Sequence, residues 1–372
     1  MLTPEGCRGR QARLRQALAA QNIDAAVISD PIEVYYFTGV LTPILPHVLR
    51  FFLWIDQKTT FLVAPLNSGE AYVDEVVHYE VNMGGTAHPD WLRRINGFVE
   101  KRLKGEAAHR IGYQAEALQR LIADTVAAAV HPDDWVAIDD LIANMQRRKD
   151  PDELAVIKRS IEVDLAAYRA AQAAIAPGVN ELEVLTAAQR AASLEAGENV
   201  WHNGDYAAGM AGGYARDRKI KAGELYIIDA WTRYHGYWSD LSRAYIVGDE
   251  ISDVQQSIFD HLKAIHDQVP GLLKPGIDGS AVWRRIDALI REHPAMKEAG
   301  LTHHAGHSIG LRAHELPDLN PTRGGMIEVG QVITCEPGGY PEAARGGVRL
   351  ENMYLITENG AENLSVFPMS LR

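Results

Sequence analysis

Glu224-Leu-Tyr-Ile-Ile-Asp-Ala-Trp-Thr-Arg-Tyr-His-Gly-Tyr-Trp-Ser-Asp-Leu-Ser-Arg243 is the stretch on which the reading turns. Apolar runs flank a polar centre, Thr232 to Gly236, which is the pattern of strand, turn and strand. A turn centred on Tyr234 and His235 would place Asp229 directly opposite Asp240. Directly opposed residues on one face have Cβ atoms about 5 Å apart. Two carboxylates that close repel, and both ionise cheaply only with a cation between them.

The arrangement recurs downstream. Strands over Gln331–Glu336 and Gly347–Ile356, joined by a Pro/Gly-rich turn, would oppose Glu336 to Glu351. Both acids interrupt apolar strands, and a buried carboxylate without a partner is costly. Between the two hairpins lies Thr302-His-His-Ala-Gly-His-Ser-Ile-Gly-Leu-Arg-Ala-His-Glu315, with four of the fourteen histidines. Its glycines exclude the helical HExxH zinc motif and imply close backbone approach beside His307. Either acid pair alone is more simply a solvated hairpin, and the histidines alone read equally as a pH-sensitive surface loop. Together they favour a metal site. One imidazole with four carboxylates suits hard or borderline divalent ions, Mn²⁺ first, with Co²⁺, Fe²⁺ or Zn²⁺ as alternatives. Four acids exceed one ion's need, whereas two metals about 3.5–4 Å apart would use them all, for hydrolysis by water activated between them.

The rest of the chain frames this centre. Its 372 residues imply two domains, and the net charge of -12 argues against nucleic acid or an anionic membrane as partner. Two cysteines, Cys7 and Cys335, build neither a disulfide framework nor a zinc site and fit a reducing, cytoplasmic compartment. Neither an export signal nor a membrane span is read. An amphipathic helix over about Arg8–Gln21 leads into strand-like runs at Ala25–Ser29, Val34–Phe37, Arg50–Ile55 and Thr60–Val63. A helix over Trp91–Leu103 and the run Arg110–Tyr113 complete an α/β unit. Asp150, Pro151 and Glu153 then write the start of a long Ala-rich helix, to about Ala176, with a capping box. The domains are therefore expected at 1–147 and 148–372. Pro177-Gly-Val-Asn and Pro275-Gly-Ile-Asp, each leading on to a His- and Gly-bearing segment, echo one another. The echo reads either as two ordinary helix ends or as a duplicated helix–helix–strand unit about a pseudo-twofold axis.

In order, IDA…GYWSDLSR, HHAGHSIGLRAHE, TCEPGGY and GGVRLENM, the chain resembles the creatinase/prolidase/aminopeptidase P family. The resemblance implies an α+β protein: a pita-bread catalytic domain behind an N-terminal creatinase-like α/β domain. It further implies that Asp229 chelates one metal, Asp240 and Glu351 bridge both, and His307 and Glu336 hold the other. Glu336 would take the proton of the attacking water. His303 and His314 would stabilise the tetrahedral intermediate, Arg349 would support the carboxylates, and Tyr340 would line the substrate site. A homodimer is expected on the same ground. Two departures stand out. Peptidase members carry a substrate-binding histidine in the stretch matching Tyr206–Gly213, which here has none, leaving His202 upstream as the substitute. The usual Asp-Ala-Gly is Asp229-Ala-Trp231, bringing an indole toward the substrate. The expected activity is therefore Xaa-Pro cleavage of small peptides. The alternatives are a metal-dependent hydrolase or lyase of a small amide or betaine-like compound, and a non-catalytic binding protein. Trp201, Trp231 and Trp238 read as core packing before they read as a cage for a cationic or prolyl group.

Overall fold

A computed structural model of the chain describes residues 1–41, 50–66, 68–80 and 90–372, which fall into two compact units, Met1–Gln146 and Arg147–Arg372. The first holds helix α1 (Pro4–Ala20), strand β1 (Ala25–Ile28), α2 (Pro31–Thr38), and strands β2 (Phe52–Asp56), β3 (Thr60–Pro65) and β4 (Glu75–Tyr79). There follow α3 (Trp91–Leu103), β5 (Arg110–Tyr113), α4 (Arg120–Val130), β6 (Asp134–Ala137) and α5 (Asp139–Gln146). The strands form one mixed sheet in the order β4-β3-β2-β1-β5-β6.

One expectation fails here. Val34–Phe37 is not a strand but the middle of α2. Asp30 caps the helix by accepting from the Ile32 N–H at 2.7 Å, Pro31 opens its first turn, and Gly39 closes it in the left-handed region at φ 75°. Every residue from Glu33 to Thr38 is buried, so the helix shows no polar face and its period was invisible to hydropathy.

The second unit opens with α6 (Pro151–Ala174), where the Glu153 carboxylate accepts from the Asp150 N–H at 2.9 Å in a capping box. Then come α7 (Glu181–Ala196), β7 (Trp201–Asp205), β8 (Leu225–Tyr234), β9 (Tyr237–Ile246), α8 (Asp253–His266), α9 (Val269–Leu272) and α10 (Gly279–Ile290). Last are β10 (His307–Ser308), β11 (Glu315–Asp318), β12 (Val332–Cys335), β13 (Gly338–Gly339), β14 (Val348–Arg349), β15 (Asn352–Thr357) and β16 (Gly360–Asn363). Sheet β7-β8-β9 packs Tyr226, Ile228 and Leu241 among residues of α6 and α7. Sheet β11-β10-β12-β15-β16 packs Ile333, Cys335 and Tyr354 among residues of α8 and α10. A bridge between Ser242 and Glu351 ties β9 to the start of β15.

The Pro-Gly echo has a structural counterpart. Gly178 donates to the Ile220 carbonyl and Gly276 to the Ile327 carbonyl, each at 2.8 Å. Asn180 caps α7 while bridging Lys219, and Asp278 caps α10 while bridging Met326. Further on, a Cβ on Gly204 would run into the Asp229 carbonyl, and one on Gly306 into that of Thr334. The unit is thus two copies of helix pair, strand with a glycine in it or just before it, and hairpin. This is the pita-bread arrangement.

The first hairpin is not registered as expected. Tyr234 pairs Tyr237, so Asp229 faces Ser242 and Asp240 faces Trp231. The turn residues are His235 and Gly236, at φ 43° and 85°. Two consecutive left-handed residues make the turn whose twist suits a two-residue hairpin, and glycine is favoured at the second. Asp229 and Asp240 are therefore diagonal neighbours on one face, roughly 7–8 Å apart at Cα for such pairs. In the second hairpin Cys335 pairs Asn352, so the next residues out, Glu336 and Glu351, stand opposite one another.

Candidate metal centre

The centre arises where an apolar sheet face turns acidic. Leu225, Ile227, Ala244 and Ile246 lie on one face of the β8–β9 hairpin, inside the core shared with α8 and α10. Alternation carries that face on to Asp229 and Asp240. From the other half come Glu336, Glu351 and, on β10, His307. All five are buried. His307 Nε2 lies 3.6 Å from Asp240 Oδ2 and 4.0 Å from Glu336 Oε1. Donor atoms of Asp240, His307 and Glu351 lie within 4.8 Å of one another, as do those of Asp229, Glu336 and Glu351. His307 Nδ1 is 3.0 Å from the Ser308 carbonyl; donating its proton there leaves Nε2 unprotonated toward the acids.

This donor set fits a pair of divalent cations. Asp240 Oδ1 and Glu351 Oε1 are buried with no hydrogen-bond partner. Burial, and then the charges of Glu351 and Asp229, push the Asp240 carboxyl well up; burial and Glu336 do the same to Glu351. Glu336 is raised by burial and Asp229, and burial also raises Asp229 although Arg349 opposes it. Burial and the neighbouring His314 and His304 push His307 well down, keeping it neutral and able to ligate. Four carboxyls that ionise poorly beside a neutral imidazole are a site that positive charge completes.

Around these five residues, Arg349 spans two acids, with Nε 2.5 Å from Asp229 and Nη2 2.5 Å from Asp205. Its Nη1 approaches the Tyr340 hydroxyl at 3.4 Å, and that hydroxyl sits 2.7 Å from His303 Nε2. A Cβ on Gly338 would strike this pair, which explains the glycine after Glu336-Pro337. Burial and the Arg349 charge hold His303 down to about 4, and burial pushes Tyr340 up to about 12, so both stay neutral at pH 7. His314 is exposed at the rim, its ring centroid 3.9 Å from that of His307.

Two residues escaped the sequence reading. His304 lies with Nδ1 3.2 Å from Glu336 Oε1 and can complete a set with His307. The doubled histidine ahead of Ala-Gly-His was its signal. Asp205 pairs Asp229 across β7 and β8, and a Cβ on Gly212 would collide with its carboxylate. It therefore lies against the stretch that lacks a histidine. His202 does not serve there: it points to the opposite face of β7 from Asp205. Its Nδ1 is 2.8 Å from Thr232 Oγ1 and its Nε2 2.8 Å from the Tyr206 hydroxyl, away from the four acids and the imidazole. Strand alternation, unreadable before β7 was delimited, is the reason. Trp231 does share the acidic face, directly across from Asp240.

Residues 155–358 match the model of metallopeptidase family M24, and residues 10–147 match the creatinase/prolidase N-terminal domain. The Xaa-Pro dipeptidase of Pyrococcus furiosus is 26% identical over 364 residues, covering 96% of this chain and 97% of that protein. The Xaa-Pro dipeptidase of Pyrococcus horikoshii is 26% identical over 350 residues, covering 92% and 93%. In fold, the prolidase crystal structure from Pyrococcus horikoshii OT3 superposes with a TM-score of 0.79 at 24% identity, over 98% of this chain and 100% of that one.

Proposed function

The chain belongs to metallopeptidase family M24, and on that premise we propose that it is an Xaa-Pro peptidase acting on small peptides with two divalent cations. The observation carrying this reading is the convergence of four buried carboxylates on one neutral imidazole, with carboxylate oxygens left unpartnered. Asp229, Asp240, His307, Glu336 and Glu351 would hold the cations, with His304 as a further donor. When bound, such a pair supplies Lewis acidity and lowers the pKa of water toward neutrality. Glu336, flanked by His303 and His304, takes the proton of the attacking water and returns it to the leaving amine. His314 at the rim donates to the oxygen that gains charge as the carbonyl becomes tetrahedral. Arg349 orients Asp229, and the hydroxyl of Tyr340, kept protonated by burial, donates beside it.

Mn²⁺ is our choice of ion, from the oxygen-rich donors with few imidazoles. A chain with two cysteines, Cys7 and Cys335, both buried, supports a reducing, cytoplasmic setting, and a homodimer follows the family resemblance. No helix among the described residues is long and apolar enough to cross a membrane. The test is metal content by mass spectrometry, with assay of Xaa-Pro dipeptides and tripeptides in Mn²⁺. About two ions per chain with cleavage before proline supports the reading. Metal without prolyl cleavage turns it to a small amide, and no metal after loading removes its basis.

A further inference from the structure

The acidic face of sheet β7-β8-β9 does not end at the metal ligands. One row beyond Asp229 stand Asn203, Trp231 and Asp240, and the next row is Trp201, Arg233 and Trp238. The indoles of Trp201 and Trp231 are parallel within 7° at 6.3 Å, and Trp238 meets Trp201 edge-on at 5.0 Å. Trp238 is anchored by its Nε1–H to the Leu311 carbonyl at 3.1 Å, on the segment leading to His314. Core packing does not account for the group, because Trp201 keeps 47% of its surface exposed. A tryptophan cluster with one exposed and two half-buried members, running into a catalytic centre, is the usual composition of a binding wall. Its charge selects the occupant. The Arg233 guanidinium already lies over the Trp238 ring, 5.6 Å from its centroid, so a second cation would meet like charge. A prolyl ring is too small to cover three indoles.

We propose that Trp201, Trp231 and Trp238 wall a subsite for a bulky, uncharged apolar side chain, leucyl or aromatic, at the variable position of an Xaa-Pro peptide. The inference rests on the Xaa-Pro reading, yet binding tests it apart from turnover. Apolar pockets discriminate side chains by about 10- to 200-fold. The Mn²⁺-loaded protein is therefore expected to show kcat/KM for Phe-Pro and Leu-Pro at least about tenfold above Ala-Pro, with Lys-Pro below Ala-Pro. Trp201→Ala collapses the Phe-to-Ala ratio about tenfold, whereas Leu194→Ala, an exposed change on α7, leaves it alone. Titration of the same peptides against tryptophan fluorescence gives the order of binding even if none is cleaved. Cleavage without selectivity, equal loss on all peptides in Trp201→Ala, or Lys-Pro binding as well as Phe-Pro overturns the proposal. Ordered binding without cleavage upholds the subsite and fails the peptidase reading alone.

Discussion

Removing the cations should weaken the fold, and by an amount that can be worked out. Without metal, Asp240, Glu336 and Glu351 are forced up by burial and by neighbouring carboxylates. Their folded pKa values exceed the unfolded ones, so the folded chain binds more protons, and metal-free stability falls as pH rises through the elevated range. A cation binding only the folded state contributes about 4 kcal/mol when its free concentration is a thousand times Kd. For a domain of this size each kcal/mol shifts Tm by about 2–4 °C, so Mn²⁺ should raise Tm by roughly 8–16 °C at pH 7.5. The gain should shrink toward pH 5, because protons compete for the same oxygens, and binding should release protons into a weak buffer. Glu351→Gln gives the opposite sign in the two states. Metal-free, the variant should be more stable than the parent, by about 1.4 kcal/mol for each unit of raised pKa below the working pH. With Mn²⁺ its gain should largely vanish. Scanning calorimetry of both proteins, stripped and loaded, decides. Equal metal-induced gains, or a stripped variant weaker than its parent, would refute the electrostatic account of the site.

Three further outcomes follow from single residues. His202→Ala should cost about 1–3 kcal/mol in urea unfolding, by stranding buried partners, with metal content unchanged. Gly236→Ala should cost about 1 kcal/mol, because the turn holds that residue at φ 85°, and Gly236→Asn should cost less. His266 is pressed to about 3 by burial and the charge of Arg243, with its Nε2 3.3 Å from the Tyr354 hydroxyl. It stays neutral in the fold while the unfolded chain protonates near pH 6.5, so stability is lost as pH falls from there toward 3. His266→Gln should flatten that acid limb, by up to about 3 kcal/mol at pH 4, in urea melts taken across pH.

The acids of the centre were legible because each interrupts an apolar strand. Their pairing was legible only in part. Glu336 and Glu351 stand opposite as their hairpin implied, whereas the Asp229–Asp240 hairpin turns one residue later than its symmetric reading. That slip moves each partner by two positions, so the side chains stay on the same face and still converge. The glycine at 236 was the clue, since a two-residue hairpin prefers it second in the turn. His202 was misplaced because its use required knowing which face of β7 it takes. The helix over Pro31–Thr38 was misread because a helix buried all round from Glu33 to Thr38 and a buried strand carry the same apolar run.

The duplication explains why one half of the site is richer in candidate ligands than the other. Gly204 and Gly306 occupy equivalent places, each against a hairpin carbonyl, so Asp229 corresponds to Thr334 and Asp205 to His307. Two residues further along the hairpins, Trp231 corresponds to Glu336, and their cross-strand partners Asp240 and Glu351 correspond to each other. Asp240 and Glu351, the acids that the family resemblance would make shared by both ions, are thus the symmetric pair. Elsewhere the copies diverge. Where the second half places the carboxylate Glu336 beside two histidines, the first half places an indole, and the next row out adds two more. The position proposed as a metal ligand in one copy, Glu336, is an indole, Trp231, in the other. The same geometry that aims Glu336 at the centre therefore aims Trp231 there, which is why that tryptophan meets whatever is held beside Asp240 and is not buried in the core.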